Sequence, residues 1–207
     1  MIQVYYAAPS IYGRKVLAVL DEKELDYEIK KMSFSTQDHL KDDYLKVNPN
    51  GEIPAITDDG FTVYESTAIV EYLNDEYPEP PLMPEDSEGR AKVRMIDDYC
   101  DLHLYPEIVR CLLKKVLKKE ELNEEDVKAL AEKTKRLDTY LAGKTWIAGD
   151  FSLADCAVMA AFASLEGFGV LDECLASQAL KSYAGRLKTR KGYKGANLMS
   201  LETAAAS

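Results

Sequence analysis

Apolar positions change their period part-way along this chain. The run Ile2-Gln3-Val4-Tyr5-Tyr6 reads as a short strand. Residues 11–22 then group Val16, Leu17, Val19 and Leu20 at helical spacing. A second strand is predicted over 25–29 and a polar helix over 36–46. Residues 53–57 and 61–64 are short apolar runs separated by Asp58-Asp59-Gly60, a hairpin signal. Residues 66–74 turn helical again through Ala68, Ile69, Val70 and Tyr72. The order βαβαββα predicts a parallel first pair of strands and an antiparallel hairpin.

Beyond this point no convincing strand occurs. Residues 88–119 read as one long helix bent near Pro106. Residues 124–142 set Val127, Leu130, Leu137 and Leu141 on one face of another. Ser152 and Asp155 form a capping-box signal with Asp in place of the usual Glu, and the following run 156–163 is apolar on every side, as a central buried helix would be. A last helix is predicted over 177–190, and residues 195–207 read as a loose tail. Residues 77–87 hold four of the eight prolines and read as a linker. The expected division is therefore an α/β domain over 1–77, a linker over 78–87 and an all-helical domain over 88–207.

Composition narrows the chemistry. The 207 residues carry a formal net charge of -10, which makes a phosphate backbone an unfavourable partner. No apolar run approaches the ~20 residues of a membrane helix, and the first residues lack the pattern of a signal peptide. Cys100, Cys111, Cys156 and Cys174 are too widely spaced for a zinc knuckle. Reduced, buried thiols in a cytosolic protein are expected. Two histidines, His39 and His103, exclude a multi-histidine metal centre.

Three positions invite a ligand. Pro54 falls inside a strand run, where proline needs an edge, a bulge or a cis bond. A cis bond would turn the Ile53 backbone outward. Glu65-Ser66 stands where strand gives way to helix, so an anion could sit at Ser66 and an ammonium at Glu65, unless Ser66 simply caps the helix. Ser10 opens the first helix and is either a cap or a hydroxyl aimed at a ligand.

These blocks resemble the cytosolic glutathione transferases over nearly the whole chain. The resemblance rests on the stretch from Ser10 to Val16 (SIYGRKV), on 45–56 (LKVNPNGEIPAI), on 65–73 (ESTAIVEYL) and on 151–155 (FSLAD). It implies a thioredoxin-like first domain, an all-helical second domain, glutathione as co-substrate, no metal, and a homodimer. Ser10 matches the serine that activates the glutathione thiol in the phi, theta and zeta classes. Tyr6 and Tyr5 are the fallback donors, although strand alternation packs both in the sheet. Pro54 matches the family's cis-proline and Ile53 the residue that pairs with the cysteinyl backbone. Glu65 and Ser66 match the pair that holds the γ-glutamyl group. His39, with Lys41 as a substitute, matches a contact to the glycyl carboxylate. Glu52 departs from the usual Gln.

The implied activity is detoxifying transfer of an alkyl or aryl group from a hydrophobic electrophile to glutathione sulfur. The electrophile is expected against Ile11, Tyr12, His103, Tyr105, Ile108 and Leu112. The same scaffold also serves glutathione-dependent isomerases, peroxidases, ether-cleaving and dehalogenating enzymes, and non-catalytic carriers or interaction modules.

Overall fold

A computed structural model describes residues 1–197. Strand β1 (Ile2–Tyr6) leads through α1 (Ile11–Glu22) to β2 (Tyr27–Lys31), which pairs with it in parallel. A 3-10 turn (Asp38–Leu40) and the four-residue α2 (Asp42–Leu45) follow. Strands β3 (Ala55–Asp58) and β4 (Phe61–Tyr64) form the hairpin, and β3 pairs antiparallel with β1. The sheet order is β2-β1-β3-β4. The hairpin turns on Asp59 and Gly60, both at positive φ, which matches the twist of the flanking strands. Helix α3 (Ser66–Glu76) completes this half.

The helical half holds α4 (Ser87–Tyr99), a π-helical turn (Cys100–Leu104), α5 (Tyr105–Leu117), α6 (Glu124–Leu141), α7 (Leu153–Phe168), α8 (Leu171–Cys174), α9 (Gln178–Lys188) and α10 (Lys191–Ala196). Helix α7 is buried along nearly its whole length. Its N-terminus is fixed by the Asp155 carboxylate, which accepts from Ser152 N at 2.9 Å, Ile147 N at 3.1 Å and the Tyr183 hydroxyl at 2.6 Å. Helix α1 packs against α3 on one side and α7 and α10 on the other, so one apolar core runs through both halves. Lys23, at the end of α1, donates to the carbonyls of Tyr77 (2.6 Å) and Pro80 (2.8 Å) and anchors the proline-rich connection.

Several boundaries differ from the sequence reading. Strand β2 begins two residues late. The polar stretch 36–46 forms only two short turns, in which Tyr44 is the one buried side chain, too little for a longer amphipathic helix. The long helix is interrupted at Cys100–Leu104, ahead of Pro106, which sits in the first turn of α5 where its missing N–H costs nothing. Glu65, not Ser66, occupies the cap position of α3. The first two residues of the predicted tail, 195 and 196, belong to helix α10. Added Cβ atoms on Gly192 and Gly195 would approach the carbonyl oxygens of Ala18 and Leu17 to 2.5 and 2.6 Å, so these glycines serve close packing on α1. Residues 198–207 of the tail lie outside the described residues.

Candidate ligand-binding site

Two cavities meet at the end of β1, between the halves. The first, about 570 Å³, carries the polar side chains of His39, Asn48, Glu52, Glu65, Ser66, Thr67 and Asp101 along its border. The second, about 490 Å³, is apolar and lies between Pro9, Ile11, Met32 and the α5 residues Val109, Leu112, Leu113, Val116 and Leu117. Tyr12, Phe34 and Ile53 border both.

Ser10 stands on the wall of the apolar cavity, beside Ile53. Its hydroxyl accepts from Gly13 N at 3.1 Å, which caps α1, and donates to the Ile53 carbonyl at 3.2 Å. The cap satisfies one of the free N–H groups of the helix start. The Ile53–Pro54 peptide is cis. Behind it the Glu52 carbonyl accepts from Tyr44 Oη at 2.5 Å and Asn48 Nδ2 at 2.8 Å, which fixes the loop that presents Ile53.

Glu65 is held at φ 69°, a conformation unfavourable for a side-chain-bearing residue, and Asn50 Nδ2 donates to its carboxylate at 3.3 Å. Such strain costs on the order of 1–3 kcal/mol and persists where surrounding structure imposes it. The result sets Ser66, nearly buried, at the start of α3 on the cavity wall, with the free N–H groups and positive end of that helix behind it.

Below this point lies a charge cluster that the sequence reading missed. Lys15, fully buried on α1, donates to Asp97 Oδ1 (3.0 Å), Asp101 Oδ2 (2.9 Å) and Thr67 Oγ1 (3.0 Å). It joins α1, α3 and the α4–π junction. Burial works to lower the Lys15 amine, and the two carboxylates overcome it and hold it raised. Burial raises the Asp101 carboxyl, Lys15 pulls it down and Asp97 pushes it back up. The π turn brings the Asp101 carbonyl within 3.4 Å of the Tyr12 hydroxyl. An apolar spacing pattern carries no sign of such a cluster, although a lysine among the core positions of α1 is the one available hint.

Of the positions named from sequence, His39, Glu52, Ile53, Pro54, Glu65, Ser66 and Tyr12 border the polar cavity, and Ser10, Ile11, Tyr12, Ile53 and Leu112 the apolar one. Others lie elsewhere. Lys41 is exposed and paired with Asp38 at 2.5 Å. His103 is exposed, its ring tilted against that of Tyr99 at 5.3 Å, and borders neither cavity. Tyr105 is fully buried and donates to the Ala157 carbonyl at 2.7 Å, so it backs the Tyr12 ring from behind. Ile108 points into the core. Tyr6 is also fully buried, its hydroxyl spent on the Ala8 carbonyl at 3.1 Å, and Tyr5 packs tilted against Tyr44. On α5 the cavity is lined by Leu112, as named from sequence, and also by Val109, Leu113, Val116 and Leu117, which were not.

The four cysteines are buried and unbridged. Burial pushes the Cys111 thiol up to about 11 and Cys174 up to about 12, and raises Cys100 and Cys156 well above the ordinary value. No cluster of metal-binding side chains occurs among the described residues.

Comparison with known proteins gives the family of the chain. The glutathione S-transferase N-terminal domain family matches residues 4–81, and its C-terminal domain family matches residues 99–191. The chain belongs to the glutathione S-transferase family. A delta-class glutathione transferase of Nilaparvata lugens superposes with a TM-score of 0.86 at 28% identity, over 100% of this chain and 97% of that one. A stringent starvation protein A homologue of Haemophilus ducreyi is 27% identical over 88% of this chain and 83% of its own length. A probable maleylacetoacetate isomerase 2 of Drosophila melanogaster is 33% identical over 70% and 66%. As a glutathione S-transferase fold, the chain has the thioredoxin-like half followed by the helical half, and no described helix is long and apolar enough to cross a membrane.

Proposed function

We propose that this chain is a cytoplasmic glutathione transferase that ionises the glutathione thiol and directs it at a hydrophobic electrophile. The observation that carries the reading is the meeting of a polar and an apolar cavity at Ile53 and Tyr12, with Ser10 beside them. Glutathione would lie along the polar cavity: its γ-glutamyl group at Glu65 and Ser66, its cysteinyl backbone at Ile53 next to Pro54, its glycyl end toward His39 and Glu52. The electrophile would fill the space against Ile11, Leu112 and the exposed stripe of α5.

A thiol with a pKa near 8.5 is only about 3% ionised at pH 7. Lowering that value by two units requires about 2.7 kcal/mol of preference for the anion. A charge-assisted hydrogen bond from Ser10 together with the start of α1 supplies energy of that order. Ser10 keeps its proton throughout as a donor, and the nucleophile is the glutathione sulfur. The raised thiols of the protein's own cysteines fit this assignment.

We further propose a domain division at the connection 78–87 and a homodimer. Phe61, Met95 and Leu102 are large apolar side chains left exposed, which suits a second copy. Among described residues, no Lys, Arg or His borders the apolar cavity. That disfavours a carboxylate-bearing substrate of the kind the name maleylacetoacetate denotes. The similarity to stringent starvation protein homologues keeps a non-catalytic role as the competing reading. Passage over immobilised glutathione separates the two: retention supports the enzyme, and flow-through of folded protein contradicts it.

A further inference from the structure

Three carboxylates border the polar cavity: Glu52, Glu65 and Asp101. His39 is its one imidazole, and no lysine or arginine lies on its wall among the described residues. Lys15 reaches Asp101 from behind but is shared with Asp97, so those three groups together stay one charge negative. Lys41 is drawn away to Asp38. Even with His39 protonated, the wall keeps an excess of two negative charges. Free glutathione carries two carboxylates against one ammonium. It is an anion before its thiol ionises.

The mismatch is confined to one end. Near α3, Glu65 and Asp101 suit an ammonium and the N–H groups at Ser66 suit a carboxylate, so a γ-glutamyl head satisfies both. Away from α3, His39, Gly51 and Glu52 line the same cavity. A Cβ on Gly51 would stand 3.2 Å from the His39 carbonyl, and the Glu52 backbone is fixed by Tyr44 and Asn48. The buried Nδ1 of His39 has no hydrogen-bond partner. A ligand carboxylate here would face Glu52, and both groups only accept hydrogen bonds. A carboxamide differs: its N–H donates to a carboxylate, and its carbonyl accepts from an imidazole N–H.

We propose that the thiol this site prefers is a γ-glutamyl tripeptide whose C-terminal carboxylate is masked as an amide, plain or carrying a further amine. This rests on the glutathione reading above and narrows its ligand class. Calorimetric titration of the full chain at low salt tests it with three probes: glutathione, its C-terminal carboxamide, and its amide with ethylenediamine. The carboxamide should bind about five-fold more tightly than glutathione, and the amine-bearing probe more tightly again. Added salt should narrow both gaps. Glu52→Gln should erase most of the difference by tightening glutathione. If the wild-type protein binds free glutathione as well as or better than the carboxamide, the proposal is overturned and the glutathione reading stands. If the folded protein binds none of the three, both are overturned.

Discussion

The Ser10 hydroxyl donates to the Ile53 carbonyl at 3.2 Å, tying the start of α1 to the residue before Pro54. The bond is long for a hydroxyl donor, and a thiolate is a stronger acceptor than a carbonyl. A sulfur anion arriving beside Ile53 can therefore take over this hydrogen bond, with the proton staying on Ser10, without disturbing the cap that Ser10 makes to Gly13.

Ser10→Ala removes the donor and the cap together. Turnover of a test electrophile should fall by about ten-fold or more, as loss of a charge-assisted hydrogen bond implies. Stability in urea should fall by about 1 kcal/mol through the lost cap. Unchanged turnover with the stability loss intact would assign Ser10 to capping alone.

Leu113 borders the apolar cavity and is half exposed. Leu113→Glu should raise KM for an apolar electrophile several-fold while leaving glutathione affinity within about two-fold, since a charge in an apolar wall resists desolvation. Equal losses for both ligands would show that the cavities do not act separately.

Lys15 is the one cation between buried Asp97, partly buried Asp101 and a threonine. Lys15→Met leaves Asp97 and Asp101 uncompensated, and should cost about 3–5 kcal/mol in chemical denaturation. A loss under 1 kcal/mol would mean that water or a rearranged partner already screens those carboxylates.

Much of this molecule was legible from its pattern. The hairpin was readable because Asp59-Gly60 is the chemistry its turn demands, and α7 because an apolar run with a capping box has only one place to go. The polar site was legible in the order of Ile53-Pro54 and Glu65-Ser66, which a family resemblance joined into one constellation. Helical period alone could not choose between two adjacent stripes of α5: Ile108 faces the core and Val109 the cavity, one position apart. Nor could it show the π turn, which depends on how α4 and α5 dock around Tyr12 and Lys15. Gly195 looked like the start of a loose end, yet its missing side chain, like that of Gly192, admits the backbone of α1.

Burial holds all four cysteines in the thiol form, with Cys111 pushed up to about 11 and Cys174 to about 12. A raised thiol pKa keeps the reactive anion scarce until pH approaches that value. Native protein treated with iodoacetamide at pH 7 should stay unlabelled by mass spectrometry, and denatured protein should take up four groups. Rapid labelling of one cysteine in the native state would reveal a nucleophile of the protein's own.

The most direct measurement is the pH titration of the thiolate ultraviolet absorbance of glutathione bound to the protein. The expected result is an apparent pKa at least one unit below the free value of about 8.5, returning toward it in Ser10→Ala. A bound thiol that titrates at its free value, or one that ionises equally well without the Ser10 hydroxyl, would contradict it.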